Sequence, residues 1–445
     1  MPVGDIVQGY TFVPAEKGID STKMNAIAGQ AYIAPAFVSG QVQSSSTTTG
    51  DYFLLYKANG TLAKILYDDL ATSLGNSTGF QQTIWSVRLR SFNSIGNPNF
   101  EVVQRNVGAV VTNPASGAWL EDRWVAINAG ALSLTMQRQG AGIPGVAIPG
   151  TNFSISNAYE RITLTTTKAT LAATDNVAIR QSVEGPCLRE LIGDAHSISL
   201  LVRSSVANLK FGIVLTDVSP TRSLSKLCPL GAANTWTLIT LPNIPVWPAA
   251  NFTTAVGLAG YFLYITLCAG SSEVTPANDT WQTGFFPGAN GQDNFAANAA
   301  NSTFDLAFIQ HEPGPQCTTL IDCPFSGPNG NLQACQRYYQ KSYSYGTAVG
   351  TVTDNGVQTG IAIAYTACSG LKFSPTMAKP PTVTLYNRST GAAGSVVDFG
   401  GTTHTGAAAN AIADSGFAYI TFAPATAGSG SGAMVGFHYT AETGW

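Results

Sequence analysis

Two loop-like segments of the sequence carry side chains that could bind a sugar. Trp247 and Asn251 lie in the first segment, and Trp281, Gln282 and Phe285 lie in the second. Sugars present apolar C–H faces and polar rims, so aromatic faces and amide groups are suited to hold them. Loops carry a large share of binding residues. We therefore predict a glycan contact at these five positions, with packing inside the fold or against a neighbouring subunit as the alternative use of the rings.

The residue types that catalysis requires are present but form no recognisable arrangement. The chain has four histidines, and its Gly/Ser segment 428–432 lacks the strand–turn–helix context of a nucleophile elbow. Glycoside cleavage needs two carboxylates roughly 5 to 9 Å apart. The candidate carboxylates are Glu121, Asp122, Glu184, Asp305 and Glu312. Their spacing selects no pair, so we predict no catalytic residue and no enzyme activity.

Metal-binding patterns are weak. The polar loop 289–294 contains one carboxylate, Asp293, and does not match a Ca²⁺-binding loop. The spacing of Cys317 and Cys323 is poor for zinc. We expect no metal site and no cofactor. Most of the seven cysteines are expected to be reduced, buried thiols, and a Cys317–Cys323 disulfide is the leading exception.

The composition describes a β-rich protein with a polar, weakly charged surface. Charged residues make up 11% of the chain, below the ~25% of typical soluble domains, while 44% of the residues are apolar. The net charge of −3 and the absence of a basic patch argue against nucleic-acid binding. No apolar run is long enough for membrane insertion. Residues 1–5 lack the basic and apolar segments of a signal peptide, so we expect no export signal.

Short strands bounded by Gly, Pro or Asn dominate residues 91–316. This pattern indicates an antiparallel β-sandwich rather than alternating strands and helices. The predicted strands are 100–104, 124–128, 131–138, 159–164, 177–182, 197–203, 209–216, 236–241, 261–267 and 304–310.

Residues 1–90 contain too little apolar mass to be stable alone. A short helix is predicted at 21–28, and strands at 51–56 and 61–67 flank an Asn-Gly turn signal. Burial between chains would supply the missing core, so we expect three copies of this region to intertwine.

Residues 317–445 predict a small C-terminal β-sandwich with one helix. The helix is predicted at 332–341. The predicted strands are 360–366, 382–386, 395–399, 416–422 and 433–440.

Two motifs organise the chain. The first is NPNFEVVQRN at 97–106 with WLEDRW at 119–124, and the second is CQRYYQKSY at 335–343. Their structural residues are Asn97, Phe100, Gln104, Arg105, Asp122, Arg123, Trp124, Arg337, Tyr338 and Tyr339. We predict that Asp122 and Arg123 form an ion pair that fixes a corner of the sandwich.

The first motif resembles the jelly-roll, carbohydrate-binding-like modules of bacteriophage and prophage tail fibres. The second resembles the start of the small β-domain that often follows them.

The resemblance covers roughly residues 91–445 and implies a non-enzymatic, homotrimeric virion fibre. Residues 1–90 would attach to other virion proteins, 91–316 would form the jelly roll, and 317–445 would form the tip. Host recognition would be multivalent binding, to a glycan or a protein of the host surface. The protein would be made in the host cytoplasm and released in the virion by lysis.

Two alternatives remain open. The first is a purely structural head, collar or tail decoration fibre, which aromatic rings buried at contacts would favour. The second is a jelly-roll glycan hydrolase or esterase, which a Ser–His pair or a carboxylate pair converging in one pocket would favour.

Overall fold

The computed structural model describes the following parts of the chain: 6–7, 10–11, 52–56, 62–66, 92–140, 146–147, 154–156, 158–193, 195–248, 251–317, 328–363, 366–423 and 433–444. The chain divides into two compact units, residues 1–81 and 82–445. Within the described ranges, no helix has the length and apolar character needed to span a membrane.

The described part of the first unit consists of two antiparallel hairpins. Strand β1 (Ile6–Val7) pairs with β2 (Tyr10–Thr11), and β3 (Tyr52–Tyr56) pairs with β4 (Leu62–Leu66). The hairpin predicted around the Asn-Gly turn is therefore confirmed. The helix predicted at 21–28 lies outside the described residues.

The second unit begins with an antiparallel β-sandwich, as predicted. Its strands are β5 (Val111–Thr112), β6 (Trp124–Ala129), β7 (Leu134–Gln139), β8 (Val146–Ala147), β9 (Ser154–Ser156), β10 (Tyr159–Leu164), β11 (Asn176–Glu184), β12 (His196–Ser204), β13 (Lys210–Thr216), β14 (Arg222–Pro229), β15 (Thr237–Ile244), β16 (Ala259–Ala269), β17 (Gln282–Thr283) and β18 (Thr303–Pro313). Helix α1 (Gly185–Arg189) follows β11, and a 3₁₀ turn spans Phe295–Ala297. One sheet has the order β15-β12-β18-β10-β7-β5, and the other has the order β17-β14-β13-β16-β11-β6. Strands β8 and β9 form a separate hairpin.

Alternation along the strands places the core between the two sheets. In β13, Phe211, Ile213 and Leu215 point into the main apolar core. Val214 lies on the opposite face and packs in a separate cluster with Tyr264. A period of two residues is the geometry of an extended strand, so one face of each sheet is apolar and faces its partner.

The C-terminal part of the second unit is a nine-stranded antiparallel sheet with a core of its own. Its strands are β19 (Tyr339–Lys341), β20 (Gln358–Ile363), β21 (Thr366–Lys372), β22 (Thr382–Asn387), β23 (Ser395–Asp398), β24 (Thr403–Thr405), β25 (Ala408–Ala413), β26 (Gly416–Thr421) and β27 (Met434–Glu442). The last strand organises this sheet, because β19, β20, β22 and β23 all pair with β27. Helix α2 (Pro328–Gln336) precedes β19.

The strand predicted at 100–104 is wrong, because this segment is a loop. Asn97 and Phe100 have φ angles of 49° and 57°, in the left-handed region that interrupts an extended chain. The Asn97 side chain engages both backbone groups of Val102: Nδ2 donates to the carbonyl oxygen at 2.9 Å, and Oδ1 accepts from the N–H at 3.0 Å. Local side-chain bonds of this kind replace the hydrogen bonds of a sheet.

The helix predicted at 332–341 also needs correction. Helix α2 lies earlier, at Pro328–Gln336, and Tyr339–Lys341 forms strand β19 instead. Tyr339 is in register with Glu442 of β27. Aromatic residues favour strands, and pairing with the central strand of the sheet settles the conformation of this segment.

Two glutamates lie in the interior of the second unit. Glu121 is 2% exposed and Glu160 is 1% exposed. Among the described residues, Oε2 of Glu121 and both carboxyl oxygens of Glu160 have no hydrogen-bond partner. Burial, and then the neighbouring Asp122, raise the pKa of Glu121 to about 8. Burial, and then Glu121, raise the pKa of Glu160 well above its usual range. Both carboxyl groups therefore favour the uncharged form.

We expect this pair to make the free energy of unfolding depend on pH. The folded-state pKa of Glu121 lies above its unfolded value, so the folded chain holds a proton that the unfolded chain releases. Stability is then fully present below about pH 4.5 and falls as the pH rises towards 8. Glu121→Gln should reduce that fall by a few kcal/mol in urea titrations across this window. Glu190→Gln, at a side chain that is 57% exposed, should leave the profile unchanged. An unaltered profile in Glu121→Gln would contradict this assignment.

Candidate functional site

The two tryptophans predicted to bind a sugar belong to one aromatic cluster on the sandwich core. Trp247 is 8% exposed, and its ring stacks on His196 with 4.9 Å between centroids. Trp281 packs against Trp247 at 5.2 Å and donates from Nε1 to the Pro245 carbonyl oxygen at 3.3 Å. Trp247 thus closes the core, whereas Trp281 is half-buried.

The other three predicted ligand residues make separate contacts. Asn251 is exposed and donates from Nδ2 to Thr221 Oγ1 at 3.2 Å. Gln282 lies on β17 and is half-buried. Phe285 is 36% exposed and contacts the ring of Tyr264 at 5.9 Å, on the outer face of the second sheet. The two tryptophans thus pack on the sandwich core, Phe285 lies on an outer face, and Asn251 is exposed.

A chain of buried polar side chains lies behind Trp247. Ser94 Oγ is 2.7 Å from the Tyr261 hydroxyl, which is 2.6 Å from His311 Nδ1. His311 Nε2 is 2.8 Å from His196 Nδ1. Burial lowers the pKa of His196 to about 3 and that of His311 well below its usual value, so both rings are neutral. The four groups bond to one another and support the aromatic cluster.

Asn97 and Phe100 fix the loop of the first motif to the sandwich. Phe100 stacks on Trp124 with 5.3 Å between ring centroids. Trp124 Nε1 donates to the Asn97 carbonyl oxygen at 3.0 Å, and Asn97 Nδ2 donates to the Asp122 carbonyl oxygen at 3.0 Å. Four of the structural residues named from the sequence thus pack in one group.

Asp122 and Gln104 connect this group to the C-terminal sheet. The Asp122 carboxylate is buried and accepts from the Gln104 N–H at 2.6 Å and from its Nε2 at 3.0 Å. Burial raises the pKa of Asp122, and the charge of Arg105 partly offsets that rise. Gln104 Nε2 also donates to the Tyr339 carbonyl oxygen at 3.3 Å, and Lys341 Nζ donates to the Gln104 carbonyl oxygen at 2.8 Å.

Arg105 forms a second link between the same two parts. Its guanidinium lies 3.6 Å from the centroid of the Trp119 ring and 4.3 Å from that of Tyr339. It also forms a bidentate ion pair with Glu442 on β27, with Nη2 at 2.9 Å from Oε1. A guanidinium in this position combines cation–π contacts with a charge-assisted hydrogen bond.

Glu184 forms a third link between the sandwich and the C-terminal part, through hydrogen bonds with residues of the second motif. Arg337 donates to both oxygens of this carboxylate, at 3.0 and 2.8 Å, and the Tyr338 hydroxyl donates at 2.5 Å. Burial acts to raise the pKa of Glu184, but these hydrogen bonds outweigh it and hold the pKa below its ordinary value. The Arg123 guanidinium covers the Tyr338 ring at 3.5 Å and donates to the Ser182 carbonyl oxygen. The predicted Asp122–Arg123 ion pair is therefore wrong, because Gln104 is the partner of the Asp122 carboxylate instead.

The two motifs therefore meet in space, although they lie more than 200 residues apart in the chain. We call this contact the joint. It consists of Gln104, Arg105, Asp122, Arg123 and Glu184 from the sandwich and of Arg337, Tyr338, Tyr339 and Glu442 from the C-terminal sheet.

A polar cavity of about 200 Å³ lies beside the joint. Its lining residues are Gly117, Trp119, Arg123, Val125, Arg180, Ser182 and Gly444. Gly444 follows β27, and the others belong to the sandwich. The lining combines an indole ring with two guanidinium groups and a hydroxyl residue. Such a surface can hold a small polar ligand through ring contacts and hydrogen bonds.

Sequence reasoning did not assign Trp119, Arg180 or Ser182 to a binding site. Trp119 lies in the WLEDRW motif, and its local sequence does not distinguish a binding role from a packing role. Arg180 is the single cation in β11, a strand that is otherwise largely buried. A charge in such a strand needs a partner or a solvent-filled space. The arginine in this apolar strand is therefore the feature of the sequence that could have indicated a cavity here.

Ser342 and His438 form a Ser–His pair, with 2.9 Å between Oγ and Nδ1. His438 is fully buried, stacks on Tyr343 at 3.9 Å, and directs Nε2 to the Thr353 carbonyl oxygen at 2.9 Å. Ser342 Oγ also accepts from the Tyr439 N–H at 3.0 Å. Neither residue lines the cavity, so the pair ties β27 to the segment after β19.

Comparisons with known proteins provide no family membership. No family model matches the chain, and no curated protein matches it. Among solved structures, TmCBM61 in complex with β-1,4-galactotriose is 12% identical, covers 50% of this chain and 99% of its own, and has a TM-score of 0.26. The family 11 carbohydrate-binding module from Clostridium thermocellum, in complex with a mixed-linked tetrasaccharide, is 11% identical, covers 47% and 99%, and has a TM-score of 0.23.

The K1 cleaved adhesin domain of Lys-gingipain from Porphyromonas gingivalis is similar at the same level. It is 12% identical, covers 46% of this chain and 99% of its own, and has a TM-score of 0.23. Similarity at TM-scores of this size supports no conclusion about this chain.

We expect a double-mutant cycle of Glu184→Gln and Arg337→Met to give a coupling of about 1 to 3 kcal/mol in urea unfolding. The physical reason is that the ion pair is bidentate and its carboxylate is 4% exposed. The pair Asp354–Arg388 is the matched control, because its aspartate is 75% exposed, and its coupling should stay below about 1 kcal/mol. Equal coupling in the two cycles would contradict a role of Glu184 in the joint.

We expect Trp247→Ala to lower the free energy of unfolding by about 3 to 5 kcal/mol, since it opens a cavity in the core. Trp281→Ala should cost less than half of that because its ring is only half-buried. Denaturant titration of both variants measures the difference. Unchanged stability in Trp247→Ala would mean that this ring does not support the core.

Proposed function

We propose that the protein is a non-catalytic, glycan-binding subunit of a virion fibre and that a sugar occupies the cavity beside the joint. The observation that carries this proposal is the lining of the cavity. The Trp119 ring can pack on the C–H face of a sugar, while Arg180 and Ser182 can hydrogen-bond its hydroxyl rim.

The size of the cavity supports a ligand of one sugar ring. Its volume of about 200 Å³ is smaller than the ~300 Å³ at which pockets for drug-sized molecules begin. Glycine occupies two of the described lining positions. A Cβ atom at Gly117 or at Gly444 would meet no other atom within 4 Å.

The joint supports binding because it holds the walls of the cavity before a ligand arrives. Trp119 is held by the Arg105 guanidinium, which Glu442 pairs in turn. Arg123 is held between the Tyr338 ring and the Ser182 carbonyl. A site whose side chains are already ordered loses less conformational entropy on binding.

The assignment to a virion fibre rests on the motifs at 97–124 and 335–343 and on the weakly charged, β-rich composition. In this proposal residues 1–90 attach the chain to other virion proteins, and three copies form the fibre. The receptor is a glycan of the host surface. Three weak sites on one fibre, repeated over several fibres, raise the avidity through effective concentration.

The state of the serine and of the carboxylates supports binding without catalysis. The Ser342–His438 pair is engaged within the C-terminal sheet. Asp122 and Glu184 are engaged by Gln104 and Arg337. Neither carboxylate belongs to the cavity lining.

We expect Trp119→Ala to weaken binding of host-surface oligosaccharides at least tenfold, the effect typical of an aromatic contact at the centre of an interface. Trp281→Ala should leave the dissociation constant within about twofold. A glycan microarray of host polysaccharide fragments identifies the ligand, and titration calorimetry on the full chain gives the dissociation constants.

Two results would count against this proposal. Loss of binding in Trp281→Ala with full binding in Trp119→Ala would move the site to the loop aromatics. A wild-type chain that binds no host glycan would overturn glycan binding and favour a purely structural decoration fibre.

A further inference from the structure

The cavity beside the joint carries a net positive charge. Arg123 and Arg180 belong to its lining, and none of the other described lining residues is an aspartate, glutamate or histidine. The described part of the lining therefore has a formal charge of +2. An excess of one sign in a partly enclosed space attracts ligands of the opposite sign, because a low-dielectric wall weakens screening.

Arg180 is the cation best placed to meet a ligand. It lies in the middle of β11, and its guanidinium rests 4.8 Å from the Phe262 ring centroid and 6.0 Å from that of Tyr264. Within the described parts of the chain, no carboxylate lies within 4 Å of its nitrogen atoms. Its Nε is buried and has no hydrogen-bond partner among those residues. Because Nε is out of contact with solvent, a ligand in the cavity would have to bind the terminal nitrogen atoms of the guanidinium, and the Tyr264 hydroxyl also hydrogen-bonds this side chain.

The carboxylates of the joint are engaged elsewhere. Glu184, four residues after Arg180 on the same strand, is bound by Arg337 and the Tyr338 hydroxyl. Glu442 is bound by Arg105. Turning either carboxylate towards Arg180 would leave a buried partner uncompensated, which is strongly destabilising.

The aromatic contacts also orient the guanidinium. A guanidinium that rests on aromatic rings keeps its N–H groups in its own plane, directed sideways from the rings. That arrangement suits two parallel hydrogen bonds to an oxyanion, which a planar fork forms better than a point charge. Neutral sugar hydroxyls would supply acceptors without the balancing charge.

From these observations we infer that the cavity binds an anionic sugar, whose carboxylate or sulfate group meets Arg180 while its ring lies beside Trp119. This inference rests on the proposed glycan binding and specifies the chemical class of the glycan. The charge on the sugar thus determines specificity, and Arg180 is the specificity-determining residue.

The test is a microarray of paired oligosaccharides probed with the full chain. Each uronic-acid oligosaccharide is printed beside its carboxyl-reduced form, and each sulfated one beside its desulfated form. We expect the wild-type chain to bind the anionic member at least tenfold more tightly, with an affinity that falls as salt is raised. Arg180→Met should abolish the preference, and Arg180→Lys should retain part of it.

Two further variants separate this effect from loss of folding. Arg189→Met removes the same charge from a side chain that is 65% exposed and lies outside the lining, so it should bind as the wild-type chain does. Gly117→Asn should weaken binding of the anionic member at least tenfold, because its side chain occupies the cavity while both arginines remain. Asparagine adopts a positive φ more often than most residues, but the φ of 90° at this position strains any side chain. Thermal unfolding confirms that each variant is folded.

The outcomes distinguish this inference from the proposed function. Equal binding of the anionic and neutral members, with Arg180→Met unchanged, overturns the inference but leaves glycan binding intact. A preference for anions that survives both Arg180→Met and Gly117→Asn places the anion outside this cavity and overturns the inference. Absence of binding to any glycan overturns the proposed function and this inference together.

Discussion

A carboxylate that leaves water must be paired, and this requirement holds the sandwich against the C-terminal sheet. Glu184 of β11 takes its donors from Arg337 and Tyr338, and Glu442 of β27 takes its donors from Arg105. Each pair has one member on either side of the joint. Separating the two parts would leave charges with no partner in a partly buried environment. The ion pairs therefore specify how the parts meet, while the apolar cores of the two parts supply most of their stability.

The cavity forms where the sandwich and the C-terminal sheet pack against each other. The sandwich contributes Trp119, Arg123 and Arg180 to the lining. Gly444, which follows β27 of the C-terminal sheet, lines the same cavity. The ion pairs that fix the joint use its carboxylates, so the arginines of the lining leave the cavity positive. In the proposed site, one arrangement of charges would order the walls and select the sign of the ligand. A binding site at the boundary of two packed parts is a common position for a ligand pocket.

The fold could be predicted from the sequence because each strand is indicated by a local pattern of residues. Alternating residues such as Phe211, Ile213 and Leu215 predict a strand wherever one face is buried. The strand predicted at 100–104 was wrong because the Asn97 side chain forms local hydrogen bonds with the backbone there, in place of those of a sheet. The candidate site was harder to predict because it is formed by residues that lie far apart in the sequence. A tryptophan in a loop has the same local pattern whether it packs on a core, as Trp247 does, or lines a cavity, as Trp119 does.

The location of a bound sugar tests the central claim most directly. A crystal structure of the full chain, soaked with the oligosaccharide that binds it most tightly, would reveal that location. We expect one sugar ring in the cavity, packed beside Trp119, with an oxygen within hydrogen-bonding distance of the Arg180 guanidinium. Density for the sugar on the loop face around Trp281 and Asn251, with the cavity occupied only by solvent, would contradict the assignment of the site to the joint.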